Sequence, residues 1–302
     1  MDKYKEIEKI GYGSYGDLYK GCVSVTNEAV ILKQLQFPDE SEGVPTNLIR
    51  EISLLKEMKH SNIVRLLDVV NADDGNSVYL VYEHMDLDLN LKKFMDKLET
   101  HPLKFINIQE IDKQRDLIKK FLLQILLGVA CYHSHNISHK DVKPQNLLID
   151  PGNNILKLAD FGVIGASPET HGKEDVTPSY KAPELLLHSE ISFPADVWAV
   201  GCIFAEMVIR RPLFSGLSDN DILTNIFRVT GTPNEKNWPG IISSRSSVTR
   251  FPNNNFWELE EFVPGLETAG LDLLSKMLCL NPRGRITAED ALNHAYLDNV
   301  DI

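Results

Sequence analysis

An aspartate and an asparagine five residues apart, Asp141 and Asn146, stand among two lysines and a histidine. The stretch reads His139-Lys140-Asp141-Val142-Lys143-Pro144-Gln145-Asn146, and an apolar run, Leu147 to Ile149, follows at once. Asp141 has the chemistry to accept a hydrogen bond from a substrate hydroxyl. Asn146 can offer its amide oxygen to a hard metal ion, and Lys143 supplies a cation near a transferred phosphate. A loop of this length lets Asp141 and Asn146 face one cleft.

Other clusters have matching chemistry. Gly11 to Tyr19 reads GYGSYGDLY, with Gly11, Gly13 and Gly16 in a G-x-G-x-x-G pattern. Such a backbone lies close over phosphates without a Cβ clash. Its context is strand–turn–strand, which disfavours a dinucleotide fold and favours a nucleotide-covering loop. Lys33 ends the apolar run Ala29-Val30-Ile31-Leu32, and Glu51 lies on the following helix; paired, Lys33 would contact the α- and β-phosphates and Glu51 would hold Lys33 in place. Asp160-Phe161-Gly162 comes 19 residues after Asp141, behind a strand-like ILKLA, and Ala182-Pro183-Glu184 follows. Asp160 is the second candidate Mg²⁺ ligand. Three histidines in seven residues, His133, His135 and His139, lack carboxylates or cysteines at zinc-ligand spacing, and are read as helix-end and loop residues, His139 being structural.

The elements that must position these residues change character along the chain. Residues 4 to about 37 alternate apolar with polar, as do Val64–Val70 and Ser77–Glu83, and read as strands. Residues 46–59 carry a helical apolar face. Beyond Asp86 the pattern is mostly helical, at 115–135, 196–210, 219–230 and 268–278. Residues 96–115 read as a charged surface insertion, and 233–255 as an ordered but irregular loop region. The class is therefore α+β: a small β-rich lobe over 1–83, a join at about 83–88, and a larger helical lobe over 89–302.

The 302 residues carry 31 basic and 43 acidic side chains, a net charge of −12, which argues against nonspecific nucleic-acid or anionic-membrane binding. The apolar runs Phe121–Tyr132 and Trp198–Ile209 read as too short or too interrupted to span a bilayer. Cys22, Cys131, Cys202 and Cys279 are widely spaced and read as buried thiols of a reducing compartment, the cytoplasm or nucleus.

Five motifs in this order and spacing resemble the eukaryotic protein kinase family. Residues 42–70 (EGVPTNLIREISLLKEMKHSNIVRLLDVV), 196–240 and 281–292 (NPRGRITAEDAL) are more closely similar to the cyclin-dependent branch. The resemblance implies a bilobal kinase fold that uses ATP and Mg²⁺ to phosphorylate serine or threonine, mostly before proline, of protein substrates. ATP would lie under Ile10–Leu18, against Ile31 and Lys33, with Tyr82 behind it. The adenine would meet Glu83-His84-Met85, the ribose Asp88 or Asp86, with Leu148 as floor and Gln145 nearby. Asn146 and Asp160 would hold Mg²⁺, and Thr177 would contact Asp141 and Lys143. A cyclin would dock on the helix around 44–58. Ser14 and Tyr15 match inhibitory phosphorylation positions, and Glu184 and Arg285 match a buried ion pair. A cyclin-independent relative of the mitogen-activated type, or a catalytically silent scaffold, are the alternatives.

The chain departs from the pattern at three places. Ile31 stands where the family has a small alanine. Lys140 and Gly165 replace two of three arginines that gather an activating phosphate, leaving Arg50, and Gly172 occupies the usual phosphothreonine position, with Thr170 two residues away. Guanidinium grips phosphate bidentately and lysine does not. An activation segment ordered without phosphorylation is the expectation. Ser179-Tyr180-Lys181 replaces the family's Trp-Tyr-Arg, which weakens the expected proline preference.

Overall fold

A computed structural model describes residues 3–13, 16–36, 46–72, 77–86, 90–99, 108–150, 152–159, 178–188, 193–241, 246–252 and 258–301. The N-terminal lobe is an antiparallel sheet of five strands: β1 (Tyr4–Gly13), β2 (Gly16–Val23), β3 (Ala29–Gln36), β4 (Leu66–Asn71) and β5 (Ser77–Glu83). Their order is β1-β2-β3-β5-β4, and helix α1 (Thr46–Glu57) connects β3 to β4. The period-2 pattern decides the two faces. Val30 and Leu32 join Tyr4, Tyr79 and Val81 in a buried cluster on one face. Ile31 and Lys33 therefore point to the other, opposite Tyr82 and Leu80 of β5.

A short hairpin, β6 (Leu147–Asp150) and β7 (Ile155–Leu158), belongs to the same compact unit, which comprises Met1–Asn90 and Asn146–Val176. Its attachment is mostly backbone. Leu158 N–H donates to Asn62 O at 2.8 Å, and Val64 N–H donates to Leu158 O at 2.9 Å. The Asn62 amide adds a bond to Leu156 O at 2.9 Å. Ile63 and Val64 are spent on this junction, so β4 starts at Leu66 rather than at Val64.

The second unit, Leu91–Gln145 with Thr177–Ile302, is helical. It contains α2 (Leu91–Glu99), α3 (Ile108–Ser134), α4 (Pro183–Leu186), α5 (Phe193–Ile209), α6 (Asp219–Thr230), α7 (Leu259–Phe262), α8 (Thr268–Met277) and α9 (Ala288–Leu292). Helix α5 is buried from Ala195 to Met207 and apolar around its circumference, as a central helix must be. Trp198 stacks on Phe214 with centroids 5.7 Å apart, and α3, α8 and α9 complete the core.

Two expectations change. Residues 96–99 and 108–115 are not an insertion but parts of α2 and α3; 100–107 lie outside the described residues. The charges that suggested a surface loop are the solvent faces of helices whose apolar sides are buried. On α2, Leu91 and Met95 are in the core and Phe94 meets Phe121 edge-on at 5.8 Å, while Lys92 pairs with Asp96 at 3.0 Å. Helix α3 also supplies a stretch, Asp112–Ser134, long and apolar enough by composition to cross a membrane. Here its apolar side packs on α5 and α9, burying Phe121, Leu122, Ile125, Leu126 and Val129.

Candidate active site

The loop bearing Asp141 begins at a precise stop. Helix α3 ends with Asn136 in the left-handed region at φ 58°. Asn136 N–H donates to His133 O at 3.0 Å, and Ile137 N–H donates to Tyr132 O at 3.1 Å. This paired closure satisfies the last carbonyls and turns the chain back toward the core, where Ile137 is buried. His139 follows, buried, its ring edge-on to Tyr132 at 5.0 Å.

Asp196, in the first turn of α5 and only 2% exposed, then takes hold of the loop. Its Oδ2 accepts from His139 N–H at 2.8 Å and its Oδ1 from Lys140 N–H at 2.9 Å. The Ser138 hydroxyl donates to Oδ2 at 2.9 Å, and His133 Nε2 lies at the same distance. Lys140 is held at φ 71°, a conformation that costs a non-glycine residue roughly 1–3 kcal/mol and persists only where its surroundings over-determine it. Asp141, 8% exposed, comes next, and Lys143 Nζ sits 2.9 Å from its Oδ2. From there the Asp141 carboxylate can accept a hydrogen bond from a hydroxyl and take its proton.

The first unit presents the other half of the predicted set. Strands β1 and β2 place Gly11 opposite Leu18 and Gly13 opposite Gly16, the strand–turn–strand context read from the sequence. Gly16 has φ +142°, and a Cβ there would stand 1.5 Å from Gln34 O, so this position requires glycine. Ile10 precedes the loop at the boundary of exposure. Lys33 is 1% exposed on the Ile31 face of β3, and Glu51 is half-buried on α1. Ile31 and Tyr82 are cross-strand partners, both buried. Glu83 accepts from Lys157 Nζ at 2.7 Å and from Arg65 N–H at 2.9 Å, which fixes the end of β5 before exposed His84 and half-buried Met85. Leu148 is buried on β6, bridged to Asn90. Gln145 is exposed, Asn146 half-buried, and Asn146 O accepts from Ala159 N–H at 2.8 Å, next to the Asp160 position. The Asn146 carboxamide offers a hard oxygen of the kind that suits Mg²⁺. Asp160 itself, with Ser14, Tyr15, Asp88, Thr170 and Thr177, lies outside the described residues.

The predicted ion pair is present. Arg285 Nη1 and Nη2 donate to Glu184 Oε1 at 2.7 Å and Oε2 at 2.9 Å. Sequence reasoning missed Asp196 and Glu206, although an acid in an otherwise apolar helix signals a buried partner. Glu206 accepts from the Tyr180 hydroxyl at 2.7 Å and pairs with Lys92 at 3.4 Å. Burial pushes its carboxyl above the usual range despite Tyr180 and Lys92.

A buried aspartate flanked by a lysine, a glycine-shaped hairpin, a buried strand lysine and a guanidinium-clamped Ala-Pro-Glu turn are combined here as one chain's chemistry. The family model for the protein kinase domain matches residues 4–297, nearly the whole sequence. The chain belongs to the protein kinase family.

Proposed function

We propose that this kinase phosphorylates serine or threonine, in a cyclin-dependent manner and with a preference for a following proline. The observation carrying the serine/threonine assignment is the Lys143 ammonium 2.9 Å from the Asp141 carboxylate. A cation there neutralises the phosphoryl group being transferred while Asp141 orients an aliphatic hydroxyl and takes its proton. The oxygen–phosphorus bond forms as the bond from the γ-phosphorus to the β–γ bridging oxygen breaks, leaving ADP. Lys33 and Glu51 position the nucleotide, and Ile10, Leu18, Ile31, Tyr82 and Leu148 enclose the base. Asn146 and Asp160 would hold Mg²⁺, which would supply charge neutralisation at the phosphates.

Cyclin dependence is supported by α1, whose Ile49 is 51% exposed beside exposed Arg50, an apolar side chain set outward for a partner. The Lys140 side chain is exposed and, unlike a guanidinium, cannot grip a phosphate bidentately, which favours an activation segment that needs no phosphorylation. The four cysteines are free thiols, in keeping with a cytoplasmic or nuclear setting.

The test is Mg-ATP-dependent phosphorylation of a basic Ser-Pro peptide, with and without a cyclin. Asp141→Asn should lower kcat about 10²–10⁴-fold while nucleotide still binds. A wild-type rate in Asp141→Asn removes the catalytic assignment. Loss of activity in cyclin-bound Thr170→Ala removes the phosphorylation-independent segment, and a peptide array indifferent to proline removes that preference.

A further inference from the structure

We infer that Ile31 is the residue that limits how tightly this chain holds the nucleotide base, because its side chain fills part of the slot the base must enter. The inference rests on the reading that Ile31, Tyr82 and Leu148 enclose that base.

The side chains assigned to the base divide into two groups. Ile10 and Leu18, on β1 and β2, keep accessible surface. Ile31 and Leu148 are 1% exposed and Tyr82 is 2% exposed. The chain's own atoms already cover the inner three, so a base reaches them only by moving atoms that lie there. Apolar interiors are close-packed, and such packing holds no spare volume the size of an aromatic ring.

Of the inner three, Ile31 is the least able to yield. Strand β3 lies between β2 and β5 and is paired along both edges, with Ile31 opposite Lys20 on one side and Tyr82 on the other. Its backbone is therefore fixed from two directions. Its Cβ is branched, which restricts χ1, so the side chain does not swing aside. Tyr82 and Leu148 branch beyond Cβ and keep more rotamers. Strand alternation puts Ile31 on the same face as Lys33, two residues on, and Lys33 is enclosed as well. A nucleotide whose phosphates reach Lys33 lays its base along this face, against Ile31.

Overfilling an apolar site around a side chain that cannot move away costs about 10-fold in an equilibrium constant. Alanine at this position removes everything beyond Cβ and leaves the backbone pairing of β3 intact. Lys33 and Glu51, which serve the phosphates, are unchanged. The gain should therefore belong to the base and not to the phosphates.

The test titrates the full chain with a fluorescent ATP analogue and displaces it with MgATP or with magnesium tripolyphosphate, which has no base. Ile31→Ala should lower the Kd for ATP about 10-fold and Ile31→Val about twofold, while tripolyphosphate binds all three proteins within about twofold. Thermal unfolding gives a second readout. Ile31→Ala should melt below wild type without nucleotide, because a cavity is left, yet gain more Tm than wild type from the same saturating MgATP. A merely structural role for Ile31 predicts the lower Tm without the larger gain. An ATP Kd for Ile31→Ala within about twofold of wild type, or above it, overturns the inference, as does an equal gain for tripolyphosphate. If Ile31→Ala fails to fold, the direction of the Ile31→Val change decides in the same way. If neither wild type nor variant takes ATP or its analogue, the nucleotide reading itself falls and the inference with it; if wild type binds ATP and Ile31→Ala only matches it, the inference alone falls.

Discussion

Glu184→Ala strands one of the most enclosed charges in the protein, and the cost can be worked out. The Arg285 side chain is fully buried and Glu184 is 3% exposed. All five guanidinium N–H donors have acceptors. Nη1 serves Glu184 and Pro194 O, each at 2.7 Å; Nη2 serves Glu184 at 2.9 Å and Leu280 O at 3.4 Å; Nε serves Cys279 O at 3.0 Å. The guanidinium also lies 5.0 Å from the Trp198 ring. Removing the carboxylate leaves two donors and a full charge without compensation, which costs about 3–5 kcal/mol. An unfolding entropy of about 2.1 cal/mol/K per residue, over a chain of this length, converts that to a fall of about 5–8 °C in Tm. Differential scanning calorimetry of wild type, Glu184→Ala, Arg285→Ala and the double variant supplies the cycle. The double variant should be destabilised by less than the sum of the singles, because the second removal takes away the stranded partner. Arg285→Lys should restore little, since an ammonium cannot reach Pro194, Leu280, Cys279 and both carboxylate oxygens together. A Tm drop below about 2 °C for Glu184→Ala, or additive singles, would refute the reasoning.

The remaining expectations concern protons and one glycine. Burial raises the Glu206 carboxyl pKa, so its contribution to stability is greatest below the unfolded value and is lost as pH rises through the folded one. Glu206→Gln should therefore gain Tm relative to wild type between about pH 4 and 8; a constant difference across that range contradicts this. Asp68 behaves oppositely: burial alone would raise its pKa, but hydrogen bonds from Lys3, Val69 N–H and Tyr4 outweigh it and hold the value low. Its contribution is present above the ordinary carboxylate range of about 4 and fades as pH falls through the folded value. The Tm gap between wild type and Asp68→Asn should shrink in acid, and added salt should narrow it at neutral pH because Lys3 is largely exposed. Gly16→Ala must move either β2 or the Gln34 carbonyl, so steady-state kinetics should show a KM for ATP several times higher; an unchanged KM would mean that loop does not meet the nucleotide.

Much of this molecule was legible because its periodicities are clean. β5 and α6 have the bounds read from the sequence, Ser77–Glu83 and 219–230. The Glu184–Arg285 pair was legible for a different reason, since it rested on motif position and not on pattern. The misreading of 96–115 has one cause, which is that charge density hides amphipathicity. Lys92, Lys93, Asp96 and Lys97 obscured the buried Leu91 and Met95 of α2, and the polar start of α3 concealed its continuation. Asp196 was invisible as a loop anchor because the loop groups it holds include the backbone N–H groups of His139 and Lys140, more than fifty residues away. No side-chain pattern encodes such a partner.

The discontinuous make-up of the first unit has a consequence for synthesis. Its sheet residues are complete by residue 83, yet the acceptor for Val64 N–H is the carbonyl of Leu158. At about 5–20 residues per second, a ribosome takes about 4–15 seconds to deliver that carbonyl. Throughout the interval the nascent sheet has an unfilled border around Asn62–Val64, open to chaperones or to a neighbouring nascent chain. A fragment stopping ahead of the hairpin keeps that border unfilled permanently, so the strands and α1 cannot be harvested as a free-standing module.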